Sequence, residues 1–179
     1  MRSARTFVNV AEKVDENKFF ITMGDMNSVR AIIFDWGRTL YDSDTKREYV
    51  ESDSLLKYLQ SRGYKLFLVS LVSPLANATL QERKLQVENS PLRKYFEVAL
   101  VTDTDKDALF DRIVEQLNLP RGEILIVDDR VVRGIRYGNR HGHPTVWVKQ
   151  GKFSEELPNA DTGIPTYTIN SLPELQCLV

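Results

Sequence analysis

A chain of 179 residues is long enough for one ordinary domain with a hydrophobic core of its own, without disulfides or a structural metal. With 24 basic against 25 acidic residues, the net charge of −1 argues against a dedicated nucleic-acid binder, which needs a strongly basic field. The 42% apolar content is that of a globular protein, and no apolar run reaches membrane-spanning length.

The single cysteine, Cys177, excludes an internal disulfide framework and a cysteine-rich zinc site. The N-terminal stretch MRSARTFVNVAEKVDENKFF lacks a signal-peptide apolar core, so a cytoplasmic protein is expected. Residues 1–28 differ in pattern from the rest and read as an N-terminal extension, with a weak helical reading over Val8–Phe20. A short helix packed on the domain is an equal alternative. Residues 29–179 read as the domain.

From Val29 the pattern is regular. Strands are expected at Arg30–Phe34, Lys65–Val69, Phe96–Val101, Glu123–Val127 and Thr145–Val148, with an edge strand at Thr166–Ile169. Helices are expected at Glu51–Arg62, closed by Gly63, at Leu75–Glu88, at Asp105–Asn118, stopped by Pro120, and at Val131–His141, with a last turn at Ser171–Leu178. This alternation predicts an α/β fold: a three-layer, doubly wound, mostly parallel sheet of Rossmann type. Such sheets bind ligands outside the carboxyl ends of their strands. The residues at those ends are Asp35, Ser70, the acid-rich TDTDKD segment and the pair Asp128–Asp129.

Together these residues make a phosphoryl-transfer kit. Asp35 with Asp128 and Asp129 offers oxygen ligands to a hard cation such as Mg2+. A carboxylate can then approach the neutralised phosphoryl group and attack it, which makes Asp35 a candidate nucleophile. Ser70 can hydrogen-bond a phosphoryl oxygen, and a lysine, best placed at Lys106, can neutralise developing charge. Receiver domains use similar parts, but their acidic pair comes first along the chain.

The order found here resembles the haloacid dehalogenase-like (HAD) superfamily. The resemblance rests on AIIFDWGRTLYD (31–42), KLFLVS (65–70), DKDALF (105–110) and ILIVDDRVVRGI (124–135), and spans about residues 29–175. It implies Asp35 as nucleophile, Thr39 as the threonine that steadies the first loop and lies in the phosphate site, and Ser70 as the phosphate-binding hydroxyl. It implies Lys106 as the motif-three lysine, with Lys84 and Lys94 as competitors in the same interval. Asp129 is the expected metal ligand and Asp128 a direct or supporting one, with Mg2+ as cofactor.

One departure outweighs the matches. Superfamily phosphatases usually read D-x-D-x-T, and their second aspartate protonates the leaving group and activates water. Here that position is Gly37, which can offer a backbone carbonyl to Mg2+ but no proton. The expectation is a Mg2+-dependent phosphatase with impaired or altered acid–base chemistry. The alternatives are a non-catalytic regulatory or scaffold protein that retains Mg2+ or phosphate binding, and a dehalogenase-like or phosphonatase-like hydrolase. The D-W-x-x-T wording is similar to phosphonoacetaldehyde hydrolases, which require a cap lysine. Dehalogenases also lack the second aspartate and work without Mg2+. Only 34 residues separate Asp35 from Ser70, too few for a cap domain, so an open site is expected.

Arg38 stands where the family commonly has a small residue; it can reach a phosphate or form a surface ion pair. Asp42 and Asp44 are candidates to substitute for the missing acid. Arg130, Arg133, Arg136 and Arg140 read as a solvated helix face, His141 and His143 as a turn, and Trp36 and Trp147 as core or pocket wall. The expected partner is a phosphorylated substrate, small or macromolecular, with no membrane and no nucleic acid. Leu175, Leu178 and Val179 are compatible with a homodimer contact, and a monomer is equally expected.

Overall fold

The computed structural model describes residues 26–73 and 78–179. The helical reading of Val8–Phe20 and the start of the Leu75–Glu88 helix lie outside them. Six strands form one parallel sheet: β1 (Ala31–Asp35), β4 (Lys65–Leu71), β5 (Val98–Thr102), β6 (Ile124–Asp128), β7 (Thr145–Val148) and β8 (Tyr167–Ile169), in the order β5-β4-β1-β6-β7-β8. A small antiparallel hairpin, β2 (Tyr41–Asp42) and β3 (Arg47–Glu48), follows β1.

The period-two pattern of each central strand divides the core in two. Ile32, Phe34, Leu66, Leu68, Leu125 and Val127 face one layer, joined by Leu55, Leu56 and Leu59 of α1 (Val50–Ser61). Ala31, Ile33, Phe67, Val69, Ile124 and Ile126 face the other, against Phe110 and Ile113 of α3 (Asp107–Leu117) and Tyr137 of α4 (Arg136–His141). Both faces are covered, so β1, β6 and β7 are buried along their whole length. This is the three-layer, doubly wound architecture expected.

Element boundaries shift by a few residues. α2 runs Leu80–Asn89, because Thr79 and Glu82 cap each other reciprocally at its start. The helix expected at Val131–His141 begins as a wide π turn, Val131–Ile135, before α4. The last turn is a 3-10 segment, Leu172–Cys177. Leu175 enters the core there, with Leu178 and Val179 packed beside it, while Cys177 is exposed. Met26 is also buried in this core, so the described part of the N-terminal stretch, residues 26–28, packs on the domain. Between β1 and β4 the chain carries only the hairpin and α1, with no inserted domain. Among the described residues no helix is long and apolar enough to cross a membrane.

His143 lies in this framework, not in a metal site. Its Nδ1 meets the Arg121 carbonyl oxygen at 3.0 Å, and its ring stacks on Tyr137. Burial lowers its pKa below the ordinary histidine value. The folded state therefore refuses a proton that the unfolded chain accepts near pH 6.5, and stability contributed here is lost as pH falls through that value. Thermal melts at pH 7.5 and 5.5 should show a larger acid-induced drop in Tm for the wild type than for His143→Gln. Parallel profiles would contradict this.

Candidate active site

The chain order reverses at β1: β4 and β5 extend the sheet on one side, β6, β7 and β8 on the other. A crevice at such a switch point is the usual ligand site of an open α/β sheet. Asp35 and Asp128 end the two adjoining strands, in register beside each other (Phe34 pairs with Val127). Ser70 stands one residue beyond Val69, the partner of Asp35 on β4.

Alternation puts Asp35 and Asp128 on the α3 side of the sheet. Lys106, at the start of α3, reaches both: its Nζ donates to Asp35 Oδ1 at 2.8 Å and to Asp128 Oδ2 at 2.6 Å. All three are buried. Lys94 instead pairs with Asp53, and Lys84 is exposed, so neither competitor enters the site. Thr39 Oγ1 donates to Asp35 Oδ2 at 3.2 Å, which ties the loop back to the nucleophile candidate.

Asp128 is saturated by the protein. Its Oδ1 accepts the Arg130 N–H at 2.8 Å, and its Oδ2 accepts the Gly134 N–H at 3.1 Å as well as Lys106. The π turn brings Gly134 to it, and a Cβ on Gly134 would lie 2.5 Å from Asp128 Oδ2, so only glycine fits. Asp129 differs. Trp147 Nε1 anchors its backbone carbonyl at 3.1 Å, but its side-chain Oδ2 is buried with no partner among the described residues. Ser70 Oγ is likewise buried and without a partner among the described residues.

Asp35, Asp128 and Asp129 each present an oxygen within 4.8 Å of the others. Were all three carboxylates ionised, one lysine would leave an excess of two negative charges in a buried space. Burial raises the pKa of Asp129, with Asp35 and Asp128 adding to it; burial also raises Asp35, against the pull of Lys106. For Lys106, burial pushes the ammonium down, and Asp128 and Asp35 more than restore it. A divalent cation would balance this charge, and the unpartnered oxygen of Asp129 is a ready ligand, so the donor set fits Mg2+. The bonds closing the first loop use the carbonyls of Trp36, Arg38 and Tyr41, and none of them uses that of Gly37.

The other predicted residues are committed elsewhere. Arg38 adopts φ 66°, a left-handed conformation that explains why a small residue suits this position. Its guanidinium pairs with Asp44 at 2.9 Å and lies over the Phe153 ring. Asp42 accepts from Thr45 and from the Asp44 N–H. Arg130, Arg136 and Arg140 pair with Glu156, Asp107 and Asp161. Trp36 is fully buried and Trp147 nearly so, both in the core.

Two residues escaped the sequence reading. Tyr49, its phenol pushed up to about 12 by burial and by Asp42 and Asp129, keeps a neutral hydroxyl near the acidic cluster. Arg83 of α2 places Nη1 3.4 Å from where a Cβ on Gly37 would sit.

Residues 105–175 match the HAD-hydrolase-like family model. No curated protein matches the chain by sequence. Among solved structures, the HAD phosphatase from Thermococcus onnurineus superposes with a TM-score of 0.66 at 15% identity, covering 83% of this chain and 97% of that one. The L-2-haloacid dehalogenase RSc1362 gives 0.65 at 14% identity, covering 84% and 98%. The Bacillus subtilis protein YfnB, described as a HAD-hydrolase bound to magnesium, gives 0.58 at 21% identity. There the match covers 73% of this chain and 55% of that one. The chain thus shares the fold of these structures, and its residues 105–175 match the HAD-hydrolase-like family model.

Proposed function

We propose that the chain is a Mg2+-dependent phosphohydrolase that attacks its substrate through Asp35. The observation that carries this reading is the pairing of a tethered carboxylate with an untethered one. Lys106 and Thr39 hold Asp35 in a fixed orientation, and beside it Asp129 keeps a buried oxygen free. Asp35, Asp129 and the Gly37 carbonyl, with Asp128 beside them, would hold the cation. Bound there, Mg2+ neutralises the phosphoryl oxygens and lets an anionic nucleophile approach.

The chain's own groups then divide the work. Asp35 attacks phosphorus in line and becomes an aspartyl phosphate. Ser70 donates its unpartnered hydroxyl to a phosphoryl oxygen. Lys106 aims Asp35 and favours its ionised form against the burial that raises its pKa, and Asp128, saturated by the backbone of Arg130 and Gly134, keeps Lys106 in place. Water hydrolyses the intermediate and regenerates Asp35. No carboxylate stands at position 37 to protonate the leaving group, and general acid catalysis is worth about 100- to 10,000-fold. Substrates with good leaving groups should therefore be favoured.

Hydrolysis of an aryl phosphate should fall to background in a chelator and return with added Mg2+. Turnover that survives chelation would support the dehalogenase-like reading instead. Metal binding with no turnover on any phosphate would support the scaffold.

A further inference from the structure

Arg83 pairs with no carboxylate among the described residues. Among the described residues, Arg30, Arg38, Arg93, Arg130, Arg136 and Arg140 each meet an acidic side chain. Arg47, Arg62, Arg112, Arg121 and Arg133 share with Arg83 the lack of such a pair, but of these six Arg83 is the one whose Nε is buried with no partner among the described residues and whose guanidinium lies beside Gly37. Its place is nonetheless well determined. α2 turns Arg83, Gln86, Val87 and Ser90 toward the first loop and hairpin, a helical i, i+3, i+4, i+7 face. Gln86 accepts from Trp36 Nε1 at 3.1 Å, Ser90 donates to Glu48 at 2.7 Å, and Val87 is buried. The capping box of Thr79 and Glu82 fixes the start of the helix.

The guanidinium thus sits against Gly37, the residue that follows Asp35 by two. An aspartate there would supply a leaving-group proton; the structure supplies a cation whose field reaches Asp35. A cation cannot protonate a departing alkoxide. It can stabilise a group that departs as an anion. A carboxylic acid, with a pKa of about 4, needs no proton to leave at neutral pH.

We propose that Arg83 binds the leaving group of the substrate, and that this substrate is an acyl phosphate, the mixed anhydride of phosphoric acid and a carboxylic acid. The inference rests on the phosphohydrolase reading above. In the first step Asp35 forms a bond to phosphorus while the bridging P–O bond breaks, and its electron pair leaves with the carboxylate, held by Arg83. In the second step water breaks the aspartyl phosphate, giving the Asp35 carboxylate and H2PO4−. No external acid is consumed in either step.

The test uses two non-hydrolysable probes, phosphonoacetate and methylphosphonate, titrated calorimetrically in excess Mg2+. They share the phosphoryl-like group and differ in the added carboxylate. Phosphonoacetate should bind on the order of tenfold tighter or more, as one charge-assisted contact allows. That advantage should vanish in Arg83→Gln and persist in Arg83→Lys. It should also vanish in Gly37→Asp, where the new carboxylate meets Arg83 first; this variant carries the test if Arg83→Gln folds poorly. No advantage in the wild type, or one retained in Arg83→Gln and Gly37→Asp, overturns the proposal. Acetyl phosphate turnover in wild type and Asp35→Asn is read separately. Asp35-dependent turnover with no probe preference removes the role of Arg83 and leaves the hydrolase; a preference without turnover removes the hydrolase.

Discussion

Asp35→Asn is expected to lower phosphate-ester hydrolysis by roughly 1,000-fold or more while leaving the fold intact, because the amide cannot form an acyl phosphate. The geometry separates chemistry from stability here. An asparagine carbonyl oxygen can still accept from Lys106, and its amide can donate to the Thr39 hydroxyl, so both tethers of the loop have replacements. One of three mutually repelling carboxylates is also removed. Steady-state kinetics beside a thermal melt reads both quantities. Residual activity within tenfold of wild type would mean that another group attacks the substrate.

Lys106→Met should do the reverse and damage stability as well as turnover. The lysine is buried between Asp35 and Asp128, and the methionine leaves two buried carboxylates facing each other without a cation. Removing one partner of a buried ion pair costs about 3–5 kcal/mol, since the remaining charge is uncompensated. The loss should appear in denaturant unfolding at neutral pH without metal. A loss below about 1 kcal/mol would mean that solvent reaches these carboxylates far more freely than their burial implies.

The resemblance singles out Asp129 as the expected metal ligand with Asp128 beside it, but the physical contrast between the two is not legible in the pair itself. Their separate duties depend on the π turn that follows, which delivers the Gly134 N–H to one carboxylate and leaves the other unpartnered. Strand-end placement was readable because β1, β4 and β6 carry buried apolar runs that stop at a polar residue, and a parallel sheet aligns those stops. The β2–β3 hairpin was not readable, since two-residue strands show no periodicity. The start of α2 does carry a sequence signal, the T-x-x-E of Thr79–Glu82, four residues inside the start expected at Leu75. Arg83 had none. An arginine on a short polar helix looks like surface, and only the packing of Gln86 and Ser90 on the first loop and hairpin turns it toward Gly37.

The claim that Asp35 carries the phosphoryl group has a direct chemical test. Enzyme turning over an aryl phosphate in Mg2+ is quenched with borohydride, which reduces an aspartyl phosphate to homoserine, and the peptides are mapped by mass spectrometry. The account predicts homoserine at position 35, and none in enzyme treated without substrate. Steady turnover with Asp35 unmodified, or homoserine at another aspartate, would contradict it.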